Sequence, residues 1–224
     1  MAYIGKTPTV APLTSSDVAD GIITNAKLAQ DIISADTALG AEPADTDEFL
    51  VSDAGVLKRM DYSYIKAAGG IAEADQWRIT ANLSMSSLNS ETDITANWER
   101  RDEDSTGQLG TGMSQSSGIF TFPSTGFWLI SVSATYYQGG ADFMTVVIKT
   151  TTDDSSYDDA SFAKQATNTG TNNFASSSND FLFDVTDTSN CKVKFAYLTE
   201  GTAVLVGDTN VNATHVTFMK LGDT

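Results

Sequence analysis

From Trp77 to the C-terminus the apolar residues of this chain recur at every second position. Along GFWLISVSATYY, Trp128, Ile130, Val132, Ala134 and Tyr136 fall on one face of an extended chain, because successive side chains of a strand point to opposite sides. Phe127 and Leu129 begin the other face, which continues as Ser131, Ser133 and Thr135. A strand is predicted here that buries one side along its length and both sides at its start. DFMTVVIKT groups Met144, Val146 and Ile148; NDFLFDVT groups Phe181, Phe183 and Val185. CKVKFAYL alternates Cys191, Val193, Phe195 and Tyr197 with Lys192, Lys194 and Ala196. WRITANLSM, TAVLVGD and THVTFMKLG complete the series, the last with Val216 and Phe218 facing one way. Gly139-Gly140, Asp187-Thr188-Ser189-Asn190, Gly201 and Gly207-Asp208 supply the turns. Many strands, polar turns and no helical period predict an all-β sandwich or jelly roll. Within it, GIFTFPSTGFWLI is expected to form a central hairpin closed by the Pro-Ser-Thr-Gly turn.

Residues 153–180, DDSSYDDASFAKQATNTGTNNFASSSND, interrupt the alternation. They read as a long polar loop, with Tyr157, Phe162 and Phe174 as aromatic anchors. Loops of this length are binding loops or surface segments. The three aromatics therefore either form a recognition surface or tuck beneath the loop.

The pattern upstream of residue 70 is different. All 3 Trp and ten of the 11 Phe lie after Gly69-Gly70, whereas three of the 4 Pro lie before it. The expected division is an N-terminal arm over 1–40, a short hairpin or linker over 41–70 and a β head over 71–224. Pro8 and Pro12 keep the first residues extended. DGIITNAKLAQDIIS allows a short helix over Ala26–Ile32 capped by Thr24 or Asn25. Its apolar residues Ile22, Ile23, Leu28, Ile32 and Ile33 need burial, either between identical segments of neighbouring chains or on the same chain's β head. EFLVSD and VLKRMDYSYI, joined by Asp53-Ala54-Gly55, read as a hairpin with no clean apolar face. A hairpin by itself is marginal in water, so this segment too needs partners.

Charge narrows the function. With 29 Asp and Glu against 13 Lys and Arg, the formal net charge is -16. Binding to nucleic acid through its phosphates requires the opposite sign. No apolar run reaches the length of a membrane span, and MAYIGKTPTVAPLTSS lacks the apolar core of a signal peptide. The expectation is synthesis in a cytoplasm and transfer elsewhere by assembly, without membrane insertion. Cys191 is the 1 Cys, so neither an intrachain disulfide nor a cysteine zinc site is expected. The 1 His, His215, cannot make a metal site or a catalytic triad alone, and no G-x-S-x-G elbow is present. DEDSTG at 102–107 opens like a calcium loop, but the twelfth position, which should be a bidentate Glu, is Met113. Scattered carboxylates such as Asp102 with Asp104, or Asp153, Asp154, Asp158 and Asp159, are the remaining calcium candidates. No cofactor, metal or catalytic residue is assigned, and the chain is expected not to be an enzyme.

Two resemblances extend this reading. The segment 77–224 resembles the C1q/TNF-like jelly-roll domain: Gly118, Phe120, Gly126, Trp128 and Ile130 match its central motif, and THVTFMKL matches its closing strand. Trp128 stands where Tyr is usual, and Thr217 and Met219 depart from the closing pattern. This resemblance implies a homotrimer and does not name a ligand. MAYIGKTPTVAP, DGIITNAKLAQDIIS and ADTDEFLVSDAGVLKRMDYSYIKA resemble the N-terminal and shaft segments of tail-fibre-type virion proteins of bacteriophages. That likeness implies anchoring to the particle through the first residues, with Tyr3, Ile4, Pro8, Ile22, Ile23 and Leu28 as candidate anchors. The expected function is a trimeric, non-enzymatic tail fibre of the virion that binds other virion proteins and a host-surface receptor. The alternative is a capsid decoration or cement protein whose arm stabilises the shell.

Overall fold

A computed structural model of the chain describes residues 14–19, 37–65, 70–86, 89–102, 107–166 and 173–224. The candidate anchors Tyr3, Ile4, Pro8, Ile22, Ile23 and Leu28, the short helix over 26–32 and Asp104 lie outside the described residues. The chain divides into two compact units, Met1–Ala67 and Ala68–Thr224.

In the first unit, residues Ser15–Asp17 form one turn of 3-10 helix. The Thr14 amide and hydroxyl donate to Asp17 Oδ2 at 2.6 and 2.7 Å across it. Strands β1 (Glu48–Asp53) and β2 (Val56–Asp61) pair as the expected antiparallel hairpin. Ala54 and Gly55 both have positive φ, 49° and 85°, the geometry of a tight hairpin turn that matches the twist of its strands. Leu50 (79% exposed) and Leu57 (72%) show on one face, Phe49 (40%) and Met60 (36%) on the other. The hairpin thus presents apolar side chains on both sides.

The second unit is a β-sandwich. Its strands are β3 (Ala74–Ile79), β4 (Leu83–Met85), β5 (Thr92–Asp93), β6 (Trp98–Arg100), β7 (Ser114–Ser116), β8 (Ile119–Thr121), β9 (Gly126–Gln138) and β10 (Phe143–Thr151). They continue as β11 (Asp158–Ala166), β12 (Phe174–Val185), β13 (Lys192–Thr199), β14 (Ala203–Leu205) and β15 (His215–Gly222). Among the described residues they form a six-stranded sheet, β11-β10-β13-β8-β7 with β5 beside β13, and a seven-stranded sheet, β4-β14-β9-β15-β3-β6 with β12 beside β9.

The predicted alternation is what packs the two sheets together. Trp128, Ile130, Val132, Ala134 and Tyr136 of β9 are fully or almost fully buried, as are Met144, Val146 and Ile148 of β10 and Val193 and Phe195 of β13. Val216 and Phe218 of β15 meet them from the same sheet as β9. Phe120 lies at the centre. Its ring is 5.5 Å from Trp77, 5.2 Å from Trp98, 5.7 Å from Phe195 and 5.2 Å from Phe218. Trp77, Trp98 and Phe218 come from the seven-stranded sheet, Phe120 and Phe195 from the six-stranded one. One ring thereby bridges both layers, largely by edge-on contacts of the kind aromatic pairs favour.

The rim beside it is tied by a buried carboxylate. Asp75 accepts from Arg100 (Nε and Nη2, 3.0 Å), from Trp77 Nε1 at 2.9 Å and from the Met113 and Gln76 amides at 2.8 Å. The Arg100 guanidinium also lies 4.8 Å above the Trp77 ring. A buried charge is tolerated when it is paired and hydrogen-bonded in this way.

Three sequence expectations are corrected. The Pro-Ser-Thr-Gly segment is not the turn of a hairpin. β8 belongs to one sheet and β9 to the other, so residues 122–125 carry the chain across the sandwich. Gly126 is needed at the entry to β9: its φ is +135°, and a Cβ there would sit 2.4 Å from the Gly222 carbonyl oxygen. Next, β9 does not bury both sides at its start, because Phe127 on the outer face remains 38% exposed. Finally, 153–180 is not one long loop. It contains β11 and the first half of β12, edge strands of different sheets. Up to residue 180 their inward positions are small or polar, Ser161, Ala163, Ala175, Ser177 and Asn179, which hid the alternation; beyond it β12 turns the expected Phe181, Phe183 and Val185 inward. Asn179 Nδ2 donates to Ser161 Oγ at 3.1 Å where the two edges meet.

Phe120→Ala should destabilise the β unit by about 3–5 kcal/mol, the range for removing a buried aromatic ring. Denaturant unfolding followed by tryptophan fluorescence measures it, and a loss below about 1 kcal/mol would remove Phe120 from the centre of the account.

Candidate functional site

The sandwich has two outer faces, and they differ in chemistry. On the seven-stranded sheet the outward residues of β9 are Phe127, Leu129, Ser131, Ser133, Thr135 and Tyr137, none of them charged. Alongside, β15 turns out His215, Thr217 and Met219. Their register follows from the ladder, with His215 opposite Ser133, Thr217 opposite Ser131 and Met219 opposite Leu129. β12 borders this strip with Phe174 and Leu182, exposed to 69% and 53%. Although the chain's net charge is -16, the outward positions of β9 and β15 carry no carboxylate; β12 sets the exposed Asp180 and Asp184 directly beside them, opposite Ser131 and Phe127. Further charge lies on the other side of the strip, where buried Arg78 donates to Glu99 Oε2 at 3.0 Å.

The imidazole of His215 is half-buried on this strip. Its Nδ1–H donates to the Asn212 carbonyl at 3.1 Å. Burial, which disfavours the imidazolium, holds its pKa below the ordinary histidine value despite that hydrogen bond.

The three aromatics expected to form one recognition loop lie in different places. Tyr157 precedes β11, half-buried, with the Lys194 ammonium 4.3 Å from its ring centre. Burial, with Asp154, Asp93 and Asp153 nearby, raises the pKa of its hydroxyl. Phe162 of β11 projects from the outer face of the six-stranded sheet, 65% exposed, beside Val147 in the register. Phe174 of β12 projects from the other sheet, 5.8 Å from Tyr137. The fold does not unite them.

Three of the carboxylates considered for calcium, Asp153, Asp159 and Asp102, have partners within the chain. Asp153 Oδ1 accepts from the Ser156 amide at 2.7 Å, the Thr151 hydroxyl at 2.7 Å and the Ser155 amide at 2.9 Å. These bonds hold its pKa well below the usual carboxylate range. Asp159 lies 2.6 Å from Lys149 Nζ, and the hydrogen bond from this ammonium lowers its pKa. Asp102 pairs with Arg78 at 3.4 Å. Among the described residues no group of three or more His, Cys, Asp or Glu side chains converges as a metal site, and no helix there is long and apolar enough to cross a membrane.

These features define a TNF-like jelly-roll sandwich preceded by a separate N-terminal unit. The likeness is visible in solved structures. Eiger TNF from S. frugiperda superposes with a TM-score of 0.51 at 14% identity, covering 67% of this chain and 93% of that one. Murine APRIL at pH 8.0 gives 0.49 at 11% identity, over 66% of this chain and 98% of its own. The PRD1 vertex protein P5 gives 0.45 at 17% identity, over 69% and 100%. At such identities the likeness is one of fold. No family model and no curated protein matches the sequence.

The depressed pKa of His215 carries a pH dependence with a definite sign. Below the ordinary histidine value of 6.5 the unfolded chain takes up a proton that the folded one resists, so stability is present above that pH and declines as the pH falls through it. Carboxylates titrate lower, and this is the 1 His. The thermal midpoint should therefore drop between pH 6.5 and about 5.5, and His215→Gln should flatten that part of the profile. An unchanged slope in the variant would contradict the assignment.

Proposed function

We propose that this chain is a non-enzymatic structural protein of a bacteriophage virion. It assembles as a homotrimer, anchors to the particle through its N-terminal segment and presents its jelly-roll head to the host surface as a tail fibre. The observation that carries the reading is the uncharged outer strip of β9 and β15. Copies of a chain with net charge -16 repel one another over most of their surface. They can approach where charge is absent and where Phe127, Leu129 and Met219 offer apolar area, the composition typical of an interface core. The β1–β2 hairpin supports the same conclusion independently, since Leu50, Leu57, Phe49 and Met60 are exposed on its two faces and would be covered by the same segments of other copies. Assignment to a virion is supported by the likeness of residues 1–70 to the anchoring and shaft segments of tail-fibre proteins. A trimeric head also suits attachment, because weak contacts to a surface are multiplied by simultaneous engagement.

The interface assignment is tested on the full chain by native mass spectrometry. The wild type should be a trimer. Ser131→Glu combined with Ser133→Glu places six carboxylates around the shared surface and should give monomers with an unchanged far-UV spectrum. A monomeric wild type, or a doubly substituted chain that remains a trimer, would contradict the proposal.

A further inference from the structure

The other outer face, on the six-stranded sheet, holds a cleft of about 180 Å³. Its floor is Val147 of β10 and Leu198 of β13; Phe162 and Lys164 of β11 form one wall, with Glu91 and Asp159 at the rim. Val147 is only 2% exposed yet does not belong to the core between the sheets, so this cleft is a second, shallow apolar centre built on the outside of the sandwich.

Three features bear on what it can hold. The first is size. Pockets for drug-sized ligands run to about 300–1,000 Å³, so this cleft takes a single ring-sized group. The second is charge. Lys149 pairs with both Glu91 and Asp159, the latter at 2.6 Å, and Lys164 extends over the Phe143 ring at 4.0 Å. Two ammonium groups thus balance two carboxylates, and neither an anionic nor a cationic ligand is favoured. The third is the mixture of surfaces. The Phe162 ring is 65% exposed. Around it stand fixed acceptors (the two carboxylates, oriented by Lys149) and a donor (Lys164). Thr145 also lines the cleft, 5% exposed, and its hydroxyl has no hydrogen-bond partner among the described residues.

We propose that this cleft binds one neutral saccharide residue. A pyranose ring has an apolar C–H face, which suits the Phe162 ring, and equatorial hydroxyls that both donate and accept. Those hydroxyls can donate to Glu91 and Asp159 and accept from Lys164. A purely apolar ligand would make no use of the acceptors and donor around the ring and would leave the Thr145 hydroxyl unsatisfied, and a charged sugar would upset the balanced cleft. The inference rests on the reading of the head as host-contacting, and names the chemical class of the surface that it contacts. Single-site affinity is weak for so small a contact, and becomes useful through three copies of the head.

The test is saturation-transfer-difference NMR on the full chain, with methyl glucopyranoside, methyl galactopyranoside, methyl mannopyranoside and N-acetylglucosamine as neutral probes and glucuronate and glucosamine as charged comparators. At least one neutral probe should receive saturation, strongest on the protons of one ring face, and should exceed its charged counterpart several-fold. Phe162→Ala, at an exposed position, should leave the thermal midpoint unchanged and reduce the signal at least tenfold; Lys164→Ala should reduce it less. Absence of signal from every neutral probe, equal signal from the charged sugars, or a signal that survives Phe162→Ala would overturn the inference. The two readings fail separately. A chain present in particles that binds no neutral sugar leaves the virion assignment standing and removes the cleft; a chain that binds sugar and is absent from particles does the reverse.

Discussion

The contact of Phe120 with four aromatic rings from both sheets is the constraint on which the rest of the structure depends. A two-layer β unit of this size has no disulfide to restrain it, and its single cysteine, Cys191, is buried and free. Cohesion comes from interdigitated side chains, and the greatest concentration of them is at Phe120, Trp77, Trp98, Phe195 and Phe218. The chain reaches that position by a tight hairpin. Ser117 and Gly118 have φ of 50° and 80° between β7 and β8, and a Cβ on Gly118 would lie 2.2 Å from the Ile94 carbonyl oxygen. Two residues beyond Phe120 the chain leaves the six-stranded sheet and, past Gly126, becomes the longest strand of the other. Phe122 in this crossing stays inside, 5.4 Å from Trp128 and 5.7 Å from Phe183. The aromatic cluster and the crossing of the chain between layers are one feature. Asp75 with Arg100 secures the adjacent rim, leaving the two outer faces free to differ.

Those faces give the molecule its two surfaces. One is broad, regular and uncharged along β9 and β15; the other is interrupted by a small cleft with balanced charge. Interior packing determines both. Since Trp128, Ile130 and Val132 must point inward, Leu129, Ser131 and Ser133 must point outward. Ser131 and Ser133 are short and uncharged, which leaves room for another surface to approach them. In the first unit the same logic has a different outcome: the β1–β2 hairpin has apolar residues on both sides and no layer of its own to cover either. The proposed self-association would cover both exposures without requiring a separate partner for each.

Most of the sandwich was legible because its central strands contrast large apolar with polar residues. β9, β10, β13 and β15 lie where the alternation places them, and the Asp53-Ala54-Gly55 hairpin closes as its turn residues require. β11 and the first half of β12 were not legible, because at a sheet edge small inward residues suffice, here Ser161, Ala163, Ser177 and Asn179; the second half of β12 was legible through Phe181, Phe183 and Val185. Nor could the local sequence show that Pro123 lies in a crossing between layers, since a hairpin and a corner call for the same turn residues. The cleft shows the same limit at the level of a site. Phe162 is visible in the sequence as an aromatic in a polar segment, but Glu91, Thr145 and Leu198 come from three other strands or loops and are assembled by strand order alone. Tyr157 and Phe174, named beside Phe162 in the sequence, are separated from it by burial and by sheet.

The most direct measurement of the central claim is the copy number of this chain in purified phage particles, determined by quantitative mass spectrometry against the major capsid protein. A virion-anchored trimeric fibre predicts a small number of copies, in a multiple of three for each tail. Absence of the chain from particles would contradict its assignment to the virion, and copies comparable to the capsid protein would contradict the fibre and move its N-terminal anchor from the tail to the shell.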